Sequence, residues 1–171
     1  MITQKRLKEL LHYEPETGIF TSKTKRYSQG FIGQEVGYVN DAGYLLCALE
    51  TVTYRMHRLA WLYMYGHMDM EQLDHINHMK TDNRLVNLRE VTNAGNRKNM
   101  PMQHNNTSGH TGVSRYYSDK SKYTAQIKVK GIKKHLGLFS TFGEAVKARK
   151  KAEVLYNFHG NHGNSKTRAI V

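Results

Sequence analysis

The sequence has a single cysteine, Cys47, and no long apolar run in its 171 residues. One cysteine can form neither an intramolecular disulfide nor a cysteine-based zinc ribbon, and it suits a reducing compartment such as the cytoplasm. The opening residues, MITQKRLKELL, are too polar for a signal peptide or a membrane span. We therefore expect a soluble, cytoplasmic protein that does not cross a membrane.

Hydrophobic and acidic residues are both scarce. The hydrophobic fraction is 39% and the mean hydropathy is −0.68, values that favour small modules over one dense core. Only 14 acidic residues face 26 basic ones, for a net charge of +12. Residues 1–100 carry 13 basic and 11 acidic residues, whereas residues 101–171 carry 13 and 3. A polyanion is therefore the first partner to consider, held mainly by the C-terminal part of the chain.

The pattern of turns and apolar residues divides the chain into five segments. They are a β-rich N-terminal region (1–55), a compact polar unit (56–100), a linker (101–110), a sheet-and-helix module (111–160) and a basic tail (161–171). The linker is assigned on its composition, PMQHNNTSG. The first segment opens with a predicted helix over 2–11, capped by Thr3.

The polar unit predicts a helix followed by a strand, a loop, a second strand and a second helix. Helical spacing covers 57–65, and Leu73 to His75 reads as a short strand. An ordered polar loop over 76–84 leads to a strand at 88–91, after which Thr92 caps a helix beginning at Asn93. The whole chain is thus expected to be α+β.

The sheet-and-helix module has the clearest pattern. Strands are predicted at 112–117, 123–129 and 132–139, and Thr141 with Glu144 forms a capping box that opens a helix running to about Phe158. Alternation in the second strand directs Gln126 and Lys128 away from the core, beside Lys133 and His135 on the next strand. Such a ribbon suits the major groove of DNA.

Four polar residues of the 56–100 unit suggest phosphodiester hydrolysis: Asp74, His75, Asn87 and Asn96. Carboxylate and amide oxygens suit Mg²⁺ or Mn²⁺, and a neutral imidazole is a suitable general base for water. An Asp-His pair alone is common on protein surfaces, and a lone Asn usually belongs to a turn. The hypothesis therefore depends on the whole string of residues.

Residues 57–99 resemble the HNH homing-type endonucleases, often phage-encoded, which have a ββα-metal fold. The matching strings are His57-Arg58-Leu59-Ala60-Trp61, Asp74-His75-Ile76-Asn77, Asp82-Asn83-Arg84, Asn87-Leu88-Arg89, Val91-Thr92 and Asn96. The resemblance implies that Asp74 and Asn96 bind one divalent metal ion and that His75 is the general base. Asn87 would bond across the loop to hold His75 in place.

Three details of this unit carry their own expectations. Asn96 stands where many relatives have His, and relatives with Asn include enzymes that nick one strand, so a nick is at least as expected as a double-strand break. His78 stands where relatives often have Gly. Adjacent strand residues point to opposite faces, so Asp74 and His75 share one site only where the strand ends or bends.

The C-terminal module resembles the AP2 DNA-binding domain, a three-stranded antiparallel sheet packed on one helix. The matching strings are Gly112-Val113, Ala125-Gln126-Ile127, Leu136-Gly137-Leu138-Phe139 and Glu144-Ala145. The positions that contact DNA in that family fall on Ser114, Tyr116, Gln126, Lys128, Lys133 and His135. Tyr123 replaces a common Trp, and the arginines typical of that family's first strand are absent from the matching positions, so base specificity does not transfer.

Together these features predict a site-specific, metal-dependent endonuclease that acts on double-stranded DNA. Two different modules can read an asymmetric site without a dimer, so we expect a monomer with no obligate protein partner. Two alternatives stay open at this point: a DNA-binding regulator with a weak or lost nuclease site, and a protein that binds or cleaves RNA. The target sequence, the preferred metal and the setting of the gene are not determined.

Overall fold

The structure is a computed structural model that describes residues 1–25 and 30–164. The chain forms two compact units, the first ending at Asn93 and the second beginning at Ala94. Both units combine helices with small antiparallel sheets, in keeping with the expected α+β class. Among the described helices, none has the length and apolar character needed to cross a membrane.

The first unit opens with helix α1 (Gln4–Leu10) and a β-hairpin. Thr3 caps α1 as predicted, because its hydroxyl accepts a hydrogen bond from the Arg6 N–H at 3.2 Å. The helix is shorter than predicted, since the chain turns extended at Leu11 and continues as strand β1 (Leu11–Glu14). Strand β2 (Ile19–Ser22) pairs antiparallel with β1.

A three-stranded antiparallel sheet and a second helix follow. Its strands are β3 (Tyr38–Val39), β4 (Leu45–Leu49) and β5 (Val52–Arg55), with β4 in the centre. Helix α2 (Met56–Tyr65) begins directly after β5 and ends at Gly66, whose φ of 83° is left-handed. The helix agrees with the spacing seen in the sequence.

Strand β6 (Gln72–His75) pairs antiparallel with β7 (Leu88–Val91). The loop between them contains one 3₁₀ turn, Leu85–Asn87, and helix α3 (Asn93–Arg97) follows β7. This is the predicted order of strand, loop, strand and helix. The division between the two units falls within α3.

One hydrophobic core serves the whole first unit. Its buried residues are Ile2, Leu7, Leu11, Tyr13, Phe20, Cys47, Leu49, Met56, Leu59, Ala60, Leu62, Met70, Leu73 and Leu88. These come from both the 1–55 and the 56–100 segments. The β-rich N-terminal region is therefore packed together with the polar unit, and strands β6 and β7 rest on side chains from both.

The second unit contains the predicted sheet and helix. Strands β8 (Val113–Arg115), β9 (Tyr123–Val129) and β10 (Ile132–Phe139) form an antiparallel sheet with β9 in the centre, and helix α4 (Phe142–Leu155) packs on it. The bounds of β9 and β10 and the Thr141–Glu144 capping box match the predictions. Helix α4 ends earlier than the predicted Phe158.

A buried arginine joins helix, sheet and C-terminal turns in this unit. The Arg149 side chain, 4% exposed, donates to Glu153 Oε1 at 2.8 Å and to the Gln126 carbonyl at 2.5 Å. Its third contact is His162 Nε2 at 3.1 Å. Ala145 and Ala152 bury the rest of this helix face. The guanidinium group therefore contacts the helix through Glu153, the sheet through the Gln126 carbonyl and the C-terminal turns through His162.

The segment predicted as a linker begins within the second unit. Met102 N donates to the Asn164 carbonyl at 3.0 Å, and Gly163 N donates to the Met100 carbonyl at 2.9 Å. Further along, Asn106 Oδ1 accepts from the Gly109 N–H at 2.8 Å, which closes a local turn. Of the predicted tail 161–171, residues 165–171 lie outside the described part of the chain.

Candidate active site and basic sheet

Asp74 and His75 lie at the end of β6. Asp74 is opposite Arg89 and His75 is opposite Leu88 on β7. After His75 the chain turns, with the Ile76 N–H donating to the Asn87 carbonyl at 2.9 Å. The strand thus ends at this pair. Adjacent side chains of a continuous strand point to opposite faces, so Asp74 and His75 could share one site only at such an end. Asp74 is half-buried, whereas His75 is buried.

The loop after β6 is held by polar side chains. The buried Asn87 accepts a hydrogen bond from the Asn77 N–H at 3.0 Å and donates to the Asp82 carbonyl at 2.8 Å. The Asn77 amide in turn donates to Asp82 Oδ2 at 2.7 Å. Arg84 binds the same carboxylate at 2.7 Å and lowers the pKa of Asp82. Asn87 therefore bonds across the loop to two of its backbone groups.

Asn83 is a side-chain partner of His75. His75 Nε2 lies 3.2 Å from Asn83 Oδ1, and Asn83 is 1% exposed. The ring of His57 meets the ring of His75 edge-on, with centroids 4.8 Å apart. Burial lowers the pKa of His75, although the Asn83 hydrogen bond acts in the opposite direction. His75 is therefore a neutral imidazole at neutral pH, as a general base must be.

His57 is a second neutral imidazole beside the first. It lies in the first turn of α2 and is buried, and its Nδ1 has no hydrogen-bond partner. Burial lowers the pKa of His57 to about 3, and the neighbouring His75 contributes in the same direction. Two buried imidazoles in contact stay uncharged, because each would oppose protonation of the other.

Asp74 forms an ion pair with its cross-strand neighbour. Arg89 Nη2 lies 2.9 Å from Asp74 Oδ2, and Arg89 Nε lies 3.2 Å from the same oxygen. The two side chains are 13% and 27% exposed respectively. The Asp74 carboxylate therefore already has a cationic partner within its own sheet.

Two basic side chains contact the ring of Tyr44, which in turn contacts His57. The Tyr44 ring lies 5.4 Å from the His57 ring, and Lys80 Nζ and the Arg55 guanidinium lie 4.3 Å and 4.6 Å from its centroid. Lys80 Nζ also donates to a backbone carbonyl at 2.7 Å. Two basic side chains on one aromatic ring make this side of the site electropositive, which favours phosphate groups.

The remaining residues named from the sequence have plain structural settings. His78 adopts a φ of 66°, the left-handed conformation that glycine favours. Asn96 lies half-buried on α3 and belongs to the second unit. Its backbone carbonyl accepts from the Asn99 N–H at 2.9 Å.

The donor set fits a hard divalent cation that is bound together with phosphate. Within residues 1–25 and 30–164 no group of three or more His, Cys, Asp or Glu could hold a metal ion by itself. Mg²⁺ commonly uses one or two carboxylates and completes its shell with water and phosphate oxygens. Asp74 supplies such a carboxylate, and asparagine amides supply neutral oxygens.

The outer face of β8, β9 and β10 is polar and basic, and we call it the basic sheet. Lys128 is directly opposite Lys133, and Gln126 is opposite His135, so these four side chains share one face. Ser114 joins them through its pairing with Thr124. On the other face, Ala125 and Ile127 are buried, which confirms the predicted alternation. Tyr116 follows β8 and is half-buried.

Sequence reasoning assigned no role to several residues of the first site. Asn83 and Arg89 lie in the matched strings Asp-Asn-Arg and Asn-Leu-Arg, but those strings do not indicate which groups the two side chains contact. His57 was in the matched string as well. Tyr44 and Lys80 belong to no motif, and only the fold brings them to the histidines.

One family model matches the part of the chain that contains Asp74 and His75. Residues 54–98 match the family model described as HNH endonuclease, a stretch that contains α2, β6, the loop, β7 and α3. This match supports a nuclease of the HNH kind, for which DNA is the substrate. Neither the curated proteins nor the solved structures contain a match to this chain.

Proposed function

We propose that the protein is a site-specific DNA endonuclease of the homing type that requires a divalent metal ion. The observation that carries the proposal is the buried, neutral His75 at the end of β6, next to the Asp74 carboxylate and within the 54–98 HNH match. Both are held on a loop whose shape is maintained by Asn87. This arrangement provides a base and an anionic ligand side by side.

The proposed reaction is hydrolysis of one phosphodiester bond. His75 takes a proton from a water molecule, and the water oxygen forms a bond to phosphorus. The bond from phosphorus to the departing sugar oxygen breaks, and that oxygen takes up a proton from solvent. Lys80 and Arg55, the two cations that contact the Tyr44 ring, attract the phosphate backbone towards His75.

Mg²⁺ or Mn²⁺, when bound, would neutralise charge on the phosphate and assist the leaving oxygen. Asp74 is the proposed anionic ligand, and Asn96 is the proposed second ligand. Arg89 already neutralises Asp74 in the structure, so a metal ion has to compete with it or share the carboxylate. We therefore expect weak binding of the ion without DNA.

The basic sheet is the proposed DNA-binding surface, in the manner of an AP2-like domain. Its contact residues are proposed to be Ser114, Tyr116, Gln126, Lys128, Lys133 and His135. The support is its composition and register, since two opposed lysines stand beside a glutamine and a histidine on an exposed face. Lysines bind phosphate, and the shorter polar side chains suit base edges.

The setting of the activity follows the same resemblance. We propose a monomer in the cytoplasm of a bacterial host, encoded by a phage. Cleavage of one strand is as expected as cleavage of both, because an amide oxygen at Asn96 is a weaker ligand than an imidazole or a carboxylate. A DNA-binding regulator without nuclease activity is the second candidate, and the basic sheet alone would satisfy it.

Plasmid cleavage separates the two candidates. Supercoiled plasmids that carry randomised inserts are incubated with the full chain and Mg²⁺ or Mn²⁺. The nuclease hypothesis expects open-circular or linear product, which is abolished by a chelator and reduced at least about 100-fold by His75→Ala. Binding of DNA without any metal-dependent product would instead support the regulator, whereas open-circular product alone would identify an enzyme that nicks.

A further inference from the structure

The buried amide of Asn83 is the least expected polar group in the first unit. Its oxygen faces His75 Nε2 at 3.2 Å, while its Nδ2 is buried and has no hydrogen-bond partner. A buried amide with an unsatisfied N–H group costs stability, and an apolar residue would fill the same space without that cost. Folding alone therefore does not account for an asparagine at this position.

The contact determines which nitrogen of His75 carries the proton. An amide oxygen is only an acceptor, so the imidazole nitrogen that faces it has to donate. In a neutral imidazole one nitrogen carries hydrogen and the other carries a lone pair. With Nε2–H directed at Asn83, the lone pair lies on Nδ1, and Nδ1 is then the atom that accepts a proton from water.

The N-terminal β-hairpin holds Asn83 in place. The hydroxyl group of Tyr13 on β1 donates to the Asn83 carbonyl at 2.7 Å, and both residues are buried. Beside it, the Leu85 N–H donates to the Pro15 carbonyl in the hairpin turn at 3.0 Å. The turn approaches so closely that a Cβ on Gly18 would lie 2.6 Å from the carbonyl carbon of Asn83.

We propose that Asn83 is a positioning residue that fixes the Nε2–H tautomer of His75 and that the N-terminal hairpin exists in part to support it. The proposal rests on the proposed endonuclease function, because it concerns the same general base. It assigns a role in the site to a region that the sequence marked only as β-rich. The chain of contacts runs from Tyr13 through Asn83 to His75.

The tautomer can be observed directly and without any cleavage assay. Long-range ¹H–¹⁵N spectra of histidine-labelled full chain distinguish Nε2–H from Nδ1–H, and His75→Ala identifies the signal. We expect the Nε2–H form in the native protein, its loss in Asn83→Leu, and its retention in Asn83→Asp, which keeps an acceptor oxygen. A native Nδ1–H form, or an unchanged tautomer in Asn83→Leu, overturns the proposal.

Cleavage kinetics provide the functional readout. Because Asn83 is buried, Asn83→Leu should lower kcat by about 10- to 100-fold and leave the Kd for DNA unchanged. An equal loss of DNA binding would mean that the loop has collapsed and would overturn a positioning role. If the native chain cuts no DNA, the proposed function fails, and the tautomer spectra still decide the role of Asn83.

A milder pair of variants covers the case in which Asn83→Leu does not fold. Tyr13→Phe removes the hydroxyl that binds the Asn83 carbonyl, whereas Tyr63→Phe removes a hydroxyl from a ring 5.7 Å away in the same aromatic cluster. We expect Tyr13→Phe to lower kcat by about two- to tenfold and to mix the His75 tautomers, with Tyr63→Phe unchanged. Identical behaviour of the two variants would contradict support by the hairpin.

Discussion

The polar residues of the two candidate sites differ in their exposure to solvent. In the first unit the polar residues of the loop, Asn77, Asp82, Asn83 and Asn87, are buried or half-buried, and each is bonded to another part of the loop or to His75. In the second unit Lys128, Lys133 and His135 lie on an exposed sheet face.

This difference separates two kinds of chemical work. Burial costs polar groups their hydration, so a buried network is retained where atoms have to be held in fixed positions. Exposed lysines keep their hydration and their mobility, which suits attraction to a charged polymer of any sequence. Under the proposed function, the buried network of the first unit serves cleavage and the basic sheet serves DNA binding, so we expect mutations in the two places to affect these properties separately.

Arg149 is an exception to this difference, because it is a buried charged residue in the second unit. Arg149→Ala removes three hydrogen bonds and leaves Glu153 unpaired, so we expect a loss of about 3–5 kcal/mol of stability. Urea denaturation measures the change, with the exposed neighbour in Lys150→Ala as control. A cost below about 1 kcal/mol would show that buried polar groups carry little weight in this unit.

The loop of the first unit should depend on Asn87 almost as strongly. Asn87→Ala leaves the Asn77 N–H and the Asp82 carbonyl without their buried partner, which should cost about 2–4 kcal/mol. Cleavage should fall about 10- to 100-fold, because His75 loses its fixed setting. Val86→Ala, at an exposed position of the same turn, is the control. Normal cleavage by a destabilised Asn87→Ala would contradict the positioning role.

The buried histidines predict a dependence of stability on pH. His57 has a folded pKa of about 3 and an unfolded value near 6.5, so the unfolded chain binds the proton more tightly. Its contribution to stability is complete above about pH 6.5 and is lost as the pH falls, at up to about 1.4 kcal/mol per pH unit. Denaturation from pH 7 to pH 4 should show this slope, and His57→Phe should reduce it. An unaltered slope would assign the effect to His75 or to other groups.

Competition for Asp74 can be measured without DNA. Arg89→Leu removes the cation paired with Asp74, so Mn²⁺ should bind about tenfold more tightly in calorimetric titrations. Arg84→Leu, which breaks the neighbouring pair with Asp82, should leave the affinity for Mn²⁺ nearly unchanged. Weaker binding by Arg89→Leu would instead mean that Arg89 supports the metal site.

The smallest expected effect concerns the basic sheet. Lys128→Ala should weaken DNA binding and reduce the slope of log Kd against log salt by about one unit, the signature of one lost phosphate contact. Lys5→Ala removes the same charge from the exposed surface of α1 and should change the slope less. An unchanged slope in Lys128→Ala would exclude a phosphate contact, and a role in reading bases would then be tested on altered target sequences.

Local pattern was sufficient for much of the fold. Strands β7, β9 and β10 and the capping box of α4 lie where the sequence predicts them, because alternation and capping act between residues close in the chain. Helix α1 was predicted too long, since Leu11 is apolar in either conformation and only the pairing with Ser22 makes it a strand. The shared hydrophobic core of the 1–55 and 56–100 segments is a further feature that no local pattern indicates.

The sequence by itself determined the chemistry available: an Asp-His pair, loop asparagines and a surplus of lysine near the C-terminus. It also determined the end of β6 at that pair, because the turn residues follow at once. Only the tertiary structure decided which groups meet, since Tyr13, His57 and Arg89 approach Asn83, His75 and Asp74 through packing and strand register. Contacts between distant residues depend on how a whole core closes, and no local pattern encodes that.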